Sequence, residues 1–289
     1  MTERNFHDKY YKALLLIPLT ILILSIISLG MFYSQNGDFI RKDISLTGGT
    51  SVTIYDQIDM TKLKEDLSEK LEDISTRAIS DLVTGEQKAI IIETKAEGDI
   101  TREVLEEYLG YKLNSENSSF EFTGSALSES FYNQLLVAIL IAFIFMGIVV
   151  FIIFRTAVPS SAVILSAFAD IVMTLALFNL LGMKMSTAGI VAFLMLIGYS
   201  VDTNILLSTK VLKRGEGSIF ERIVGAAKTG LMLSLTTLTA LAVALIFAQS
   251  LVLKQIVTIL FIGLVVDIMN TWIQNAGIIR LYLERKRKE

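Results

Sequence analysis

The sequence predicts an α-helical polytopic membrane protein with six transmembrane helices and an extracytoplasmic α+β ferredoxin-like domain between helices 1 and 2. Three observations support this fold class. Six apolar runs are each about 20 residues long, enough to cross a bilayer core of roughly 30 Å. One polar, acidic segment separates the first run from the second. The basic residues of the short connections fall mainly on one side of the predicted bundle.

Charge divides the chain into two parts. Residues 34–131 contain 10 Lys and Arg against 20 Asp and Glu, a net charge of −10, whereas the remainder contains 16 basic and 9 acidic residues, a net charge of +7. An acidic insert on a basic membrane body argues against a nucleic-acid partner. The chain has no cysteine, which excludes disulfides, thiol catalysis and cysteine-based metal sites.

The first apolar run, residues 13–33, follows basic residues in the manner of a signal peptide. At about 20 residues it is longer than a signal core, and no small-x-small cleavage site follows it, so we interpret it as an uncleaved helix. The other predicted spans are 132–154, 158–180, 186–208, 228–248 and 255–279. Residues 1–12 and 280–289 are predicted tails, and 218–227 has the pattern of a short amphipathic helix on the inner membrane surface.

Basic residues also predict the orientation of the bundle. They occur in the N-terminal tail, at Arg155, between spans four and five, and after span six, whereas the opposite connections carry only Lys184 and Lys254. The positive-inside rule therefore predicts a multi-pass protein of the cell membrane with both termini in the cytoplasm. Residues 34–131 are predicted to be extracytoplasmic.

The insert has the pattern of a compact α+β domain. Its strand-like and helix-like segments alternate in the order β-α-β-β-α-β, the ferredoxin-like pattern. The predicted segments are 44–55, 59–71, 75–83, 89–94, 101–113 and 119–122.

Motifs of soluble enzymes are missing from the sequence. The one histidine, His7, lies in the polar N-terminal tail, and no glycine-rich phosphate loop is present. We interpret Gly48 and Gly49 as a tight bend where the chain enters the domain, in preference to a ligand site. The sequence therefore predicts a protein that is not an enzyme and has no cofactor or metal.

Three aspartates, Asp170, Asp202 and Asp267, lie inside predicted spans three, four and six. A carboxylate at such a position costs on the order of 2.5–3.5 kcal/mol and is expected to face the bundle interior with polar partners. The candidate partners are Tyr199, Ser200, Thr203 and Asn204 around Asp202, then Asn270, Gln274 and Asn275 after Asp267, and Lys228 at the inner end of span five. The aspartates are either a proton or ion pathway or interhelical hydrogen-bonding groups.

Three segments resemble the SecD/SecF branch of the resistance-nodulation-division superfamily. Residues 44–50 are similar to its opening motif G-[ILV]-D-F-x-G-G-T. Residues 192–202 are similar to its fourth-span signature around I-G-Y-S, here Ile197, Gly198, Tyr199 and Ser200, and residues 234–237 resemble S-x-T-T of span five.

The chain departs from the bacterial pattern at three places, as expected of an archaeal member. Ser45 stands where the opening motif has Asp. The fourth-span block continues Asp202-Thr203-Asn204 instead of Asn-Asp-Thr, which moves the carboxylate by one position, about 100° around the helix. Lys228 lies in the neighbourhood where bacterial members have Arg.

The resemblance implies a role in protein export. The short insert favours the SecF side of the family, because SecD proteins carry a longer one. The implied partners are SecD, a SecYEG-type translocon, a translocating polypeptide and the lipid bilayer, and the implied driving force is proton flow through Asp202, Asp170, Asp267, Asn204 and Lys228. The alternatives are a passive scaffold subunit and a half-transporter for lipid or drug efflux.

Overall fold

The computed structural model describes residues 11–80, 86–212, 217–248 and 250–287. The chain forms two compact units. The helical unit comprises the described residues up to Arg41, Val137–Lys184 and those from Ala188 onward, and the sheet unit comprises Lys42–Leu136 together with Met185–Thr187. Most of the predicted N-terminal tail, and Lys213 and Arg214 between spans four and five, lie outside the described residues.

Six helices in the described residues are long and apolar enough to cross a membrane, which confirms the predicted fold class. They are Leu16–Asn36, Ser125–Phe154, Ala157–Leu180, Thr187–Leu212, Ile219–Phe247 and a sixth that runs from Leu251 to Lys286 with a π-helical segment at Asn270–Asn275. The separate surface helix predicted at 218–227 is wrong. Those residues form the first turns of one continuous fifth helix, whose N-terminus is closed by a capping box between Ser218 and Glu221.

In its described residues, the sheet unit has four antiparallel strands and two helices of at least two turns, in the predicted β-α-β-β-α-β order. These are β1 (Gly49–Ile54), α1 (Met60–Leu67), β2 (Ser75–Ser80), β3 (Gln87–Thr94), α2 (Gly98–Leu109) and β4 (Ser118–Thr123). The spatial order β2-β3-β1-β4 places the first and third strands at the centre of the sheet.

Apolar residues at alternating strand positions and on one face of each helix build the core of this unit. Val52 and Ile54 of β1 and Ile90 and Ile92 of β3 are fully buried with Leu63 of α1. The N-terminus of α1 is capped by Asp59, whose carboxylate accepts from the amides of Thr61 and Lys62. The amphipathic spacing read from the sequence therefore matches the faces that pack.

The segment before β1 differs from the prediction of a strand over 44–55. Ile44–Thr47 forms one helical turn, because the Asp43 carboxylate accepts from the Ser45 amide and caps it. Gly48 and Gly49 follow at φ 82° and 133° and bend the chain into β1. A Cβ on Gly49 would lie 2.3 Å from the carbonyl oxygen of Thr94, so a larger residue would collide with β3.

In the helical unit, the third span lies at the centre. Its buried residues Ala169, Met173 and Ala176 pack against Leu22 of the first span and Val266 of the sixth. The sixth span approaches its neighbours closely at glycines, because a Cβ on Gly230, Gly263 or Gly277 would lie 2.1–2.6 Å from a neighbouring side chain. Few residues of the second and fifth spans are buried, as suits helices that face lipid or another protein.

Candidate functional site

A cluster of polar side chains lies buried among the third, fourth and sixth spans. Asp170 of the third span is fully buried. Ser200 of the fourth span donates a hydrogen bond of 2.5 Å to Asp170 Oδ2, and Asn270 of the sixth span donates one of 2.7 Å to Asp170 Oδ1. Each carboxyl oxygen of Asp170 therefore has a donor from a different helix.

Asp267 of the sixth span is also fully buried. Thr203 Oγ1 lies 3.1 and 2.9 Å from its two carboxyl oxygens, and Thr271 Oγ1 donates to Oδ1 at 3.0 Å. Asn270, which donates to Asp170, follows Asp267 by three residues on the sixth span, so the two carboxyl groups are neighbours. Two carboxyl groups from separate helices thus form a pair.

Two amides extend the cluster along the fourth and sixth spans. Asn275 Nδ2 donates to Asn204 Oδ1 at 2.5 Å, and Asn204 Nδ2 donates to the Ser200 carbonyl oxygen at 2.7 Å. Asn270, Thr271 and Asn275 all belong to the π-helical segment, and all three are fully buried. The wider π turn brings these polar residues to the interior side of one helix, a feature frequent at functional sites.

The chemistry of the cluster is acidic and lacks a cation. Within the described ranges, the groups that hydrogen-bond to the two carboxyls are hydroxyls and an amide, with no Lys, Arg or His among them. Nor do three His, Cys, Asp or Glu side chains meet anywhere in the described chain in a way that could hold a metal ion. Carboxyl groups of this kind can accept or release a proton.

The structure does not bring all the predicted site residues together. Asp202 is exposed on the fourth span and lies on the same face as Gly198 and Tyr199, which are exposed too. Lys228 is exposed near the start of the fifth span. The cluster thus contains Asp170, Asp267, Ser200 and Asn204 from the predicted set, while Gly48 and Gly49 lie in the sheet unit.

The roles of the hydroxyl and amide groups differ from the sequence-based expectation. Thr203, expected beside Asp202, instead bonds to Asp267, and Asn270, expected beside Asp267, bonds to Asp170. Thr271 was not among the predicted partners of Asp267, although its position four residues later places it on the same helical face. The spacing of Ser200, Thr203 and Asn204 could have indicated this arrangement. Residues three and four apart share one face of a helix, and Asp202 does not lie on that face.

The chain resembles known proteins along nearly its whole length. Residues 104–285 match the family model described as protein export membrane protein SecD/SecF, C-terminal. A protein-export membrane protein SecF of Methanocaldococcus jannaschii is 41% identical over 96% of this chain and 98% of its own length. The SecF of Pyrococcus furiosus is 36% identical, over 95% of this chain and 92% of the relative.

A solved structure has the same fold. The crystal structure of SecDF, a translocon-associated membrane protein from Thermus thermophilus, aligns over 98% of this chain with a TM-score of 0.75 and 21% identity. The alignment covers 40% of the SecDF chain, so this chain spans about two fifths of that protein's length. The family model and the archaeal relatives establish that the chain belongs to the SecD/SecF family of protein-export membrane proteins, on its SecF side.

Proposed function

We propose that the chain is an auxiliary subunit of the Sec protein-export machinery that works with a SecD partner beside a SecYEG-type translocon to promote export of polypeptides. Its curated relatives are named as protein-export membrane proteins, and the solved SecDF is described as translocon-associated. This chain corresponds to about two fifths of SecDF. A second, SecD-type chain would supply the remainder of such an assembly.

The observation that carries the proposal is the buried Asp170–Asp267 pair. Two neighbouring ionised carboxylates repel each other in a low-dielectric interior, so a carboxyl pair at this place is suited to binding and releasing a proton. Loss of that proton changes the charge of the pair and the hydrogen bonds that Ser200, Thr203 and Asn270 can make. One charge moved across 100 mV is worth about 2.3 kcal/mol, enough to shift an equilibrium between two packings of the spans.

The exposed face of the fourth span supports pairing with another membrane protein. Val191, Met195 and Tyr199 are 42%, 44% and 41% exposed, and the exposed Asp202 continues the same stripe by three residues. A carboxylate in contact with lipid at this depth is costly. A partner span with a hydrogen-bond donor or a cation would remove this cost, and we assign this face to the SecD partner.

The orientation of the proposed subunit follows from its basic residues. Both termini are then cytoplasmic, and residues 34–131 lie outside the cell membrane. Because the chain has no cysteine, an introduced one is the sole thiol. Ser119→Cys, on the exposed surface of β4, is expected to react with an impermeant maleimide in intact cells. Arg285→Cys is expected to react only after the cells are lysed. The opposite pattern would overturn the orientation.

The decisive experiment measures export in vesicles that contain the translocon, the SecD partner and variants of this chain. Asp170→Asn and Asp267→Asn are expected to reduce gradient-driven export to the level without a proton gradient. Asp99→Asn, at an exposed position of the sheet unit, is the matched control and should export as the wild type does.

Other outcomes would identify the alternatives. Full gradient-driven export by both variants would favour a passive scaffold subunit. Transport of lipid or drug by this chain without the partner would favour efflux.

To test the partner face, Asp202→Asn should reduce recovery of the SecD partner on co-purification relative to Asp99→Asn, and equal recovery would refute that assignment.

A further inference from the structure

Three buried side chains of the third and sixth spans carry polar atoms that have no hydrogen-bond partner among the described residues. Gln274 is only 4% exposed, yet neither its Oε1 nor its Nε2 is bonded. Ser166 is fully buried with an unbonded Oγ. Asn270 has an unbonded Oδ1, although its Nδ2 donates to Asp170. Buried polar atoms in proteins normally have a partner, because leaving them without one is costly.

The pairing of the third span with the sixth brings these side chains together. The hydrogen bond between Asn270 and Asp170 fixes the register of the two helices, which contact each other along the π-helical segment. Ser166 lies four residues before Asp170, about one turn away on the same face of the third span. Gln274 lies four residues after Asn270, about one turn along the sixth span. Because the third and sixth of six successive spans run in opposite directions, both steps lead the same way, and Ser166 faces Gln274 about 6 Å beyond Asp170.

Apolar groups close the space between Ser166 and Gln274 at its far end. One turn beyond Gln274, the first span lies so close to Gly277 that a Cβ there would be 2.6 Å from Leu15 Cδ2. Val163, one turn before Ser166, is fully buried. The unbonded polar atoms therefore share one enclosed site, with the hydrogen bond of Asn270 to Asp170 at one end and apolar side chains at the other.

We propose that ordered water binds at this site, between Ser166, Asn270 and Gln274. Asn270 Oδ1 and Gln274 Oε1 each need a donor, whereas Gln274 Nε2 needs an acceptor, and water supplies both. A cation would leave Nε2 without an acceptor, and a direct bond between Ser166 and Gln274 would leave Asn270 Oδ1 without a donor. A buried water makes about three hydrogen bonds to otherwise unsatisfied polar groups, which is what this site offers.

The water gives Ser166 and Gln274 a positioning role at the carboxyl cluster. An asparagine amide can turn either its oxygen or its nitrogen toward a neighbour. A water that donates to Asn270 Oδ1 favours the orientation in which Nδ2 faces Asp170, and a carboxylate accepts only from that end. Ser166 and Gln274 therefore act on Asp170 through the water and Asn270. Neither the site nor this role depends on the proposed function in export.

The direct test is nuclear magnetic resonance of the full-length protein in detergent, with glutamine labelled by nitrogen-15. Magnetisation transfer from water is measured at each glutamine side-chain amide, and the Gln274 signal is the one that Gln274→Leu removes. Gln255 is the internal control, because its amide is also buried but donates to the Lys184 carbonyl oxygen. Transfer from a long-lived water is expected at Gln274 and not at Gln255, and Ser166→Ala should reduce it.

Thermal unfolding gives an independent readout whose sign separates a hydrated site from a dry one. In a hydrated site, Gln274→Leu removes a partner of the water and should lower the Tm by roughly 2–4 °C. In a dry site, the same change replaces an unbonded amide by an apolar side chain of similar size and should raise the Tm. Gln134→Leu, the same change at an exposed position of the second span, is the matched control and should leave the Tm close to that of the wild type.

Two results would overturn the proposal: no transfer from water at the Gln274 amide of the wild type, or a Tm of Gln274→Leu equal to or above that of the wild type. If Gln274→Leu does not fold, the amide signal that shifts in Ser166→Ala identifies Gln274, and the wild-type spectrum still decides.

Discussion

Replacement of Ser200 by alanine tests whether the hydrogen bonds of the carboxyl cluster stabilise the helical unit. The change removes the 2.5 Å hydrogen bond to Asp170 Oδ2 and leaves that oxygen without its donor in the fourth span. Loss of one partner from a buried acidic acceptor costs about 1–3 kcal/mol. For a unit of this size, that corresponds to a decrease in Tm of roughly 2–4 °C for each kcal/mol.

Ser208 provides the matched control for this experiment. It lies two turns further along the same helix and is also fully buried, yet its hydroxyl has no hydrogen-bond partner among the described residues. Ser208→Ala removes the same atom from the same helix without breaking a hydrogen bond, so its Tm should stay close to that of the wild type.

Thermal unfolding of the detergent-solubilised protein, followed by circular dichroism, is the assay. The two variants must be compared in one detergent and at one pH, because both conditions alter the reference state. Equal Tm values for Ser200→Ala and Ser208→Ala would show that the Ser200–Asp170 bond contributes no stability. They would refute the view that the cluster holds the three spans together.

Three further predictions concern other parts of the chain. Gly230→Ala places a Cβ 2.1 Å from the Trp272 ring and should lower the Tm by several degrees, whereas Gly225→Ala, with open space around it, should not. The pKa of Asp43 is raised by burial, so its contribution to stability is present at low pH and is lost as pH rises through that pKa. The Tm of the wild type should therefore fall relative to Asp43→Asn as the pH rises above the ordinary carboxyl range, and parallel curves would contradict this. Burial and the Asp56 carboxylate raise the pKa of Tyr111 to about 12, so the tyrosinate absorbance lost in Tyr111→Phe should appear above pH 11; a difference that titrates near pH 10 would contradict it.

Hydrophobicity and periodicity were sufficient to predict the fold class. The spans are apolar over lengths that only a bilayer explains, and the order of strands and helices follows from local patterns such as the buried Ile90–Ile92 run. The helical turn at Ile44–Thr47 could not be predicted in this way. Its residues are β-prone, and the turn forms because the Asp43 carboxylate caps it.

The continuous fifth helix shows a second limit of sequence patterns. Residues 218–227 are amphipathic, a pattern typical of a helix on the membrane surface. In the structure, Ile223 and Ala226 pack against Leu207 of the fourth span and Ile279 of the sixth, so the apolar side faces protein. The pattern shows that one face is apolar and does not show what covers it.

The candidate site was predictable in its residue types and only partly in its members. Buried acidic residues in a bilayer predict a polar cluster wherever they occur. The pairing of Asp170 with Asp267, however, depends on how the third and sixth spans face each other. It also depends on the π-helical segment, for which the sequence offered no indication.

The fourth span separates Asp202 from the carboxyl pair that its neighbour Thr203 contacts. In the bacterial pattern that the fourth-span block resembles, Asp follows Asn, at the place that Thr203 occupies in this chain. In this chain, Thr203 bonds to the carboxyl group of Asp267, which the sixth span supplies. Asp202, displaced by about 100° around the helix, faces outward and is free to meet a partner. The aspartate that stands next to the fourth-span signature in sequence is therefore the one that lies outside the cluster.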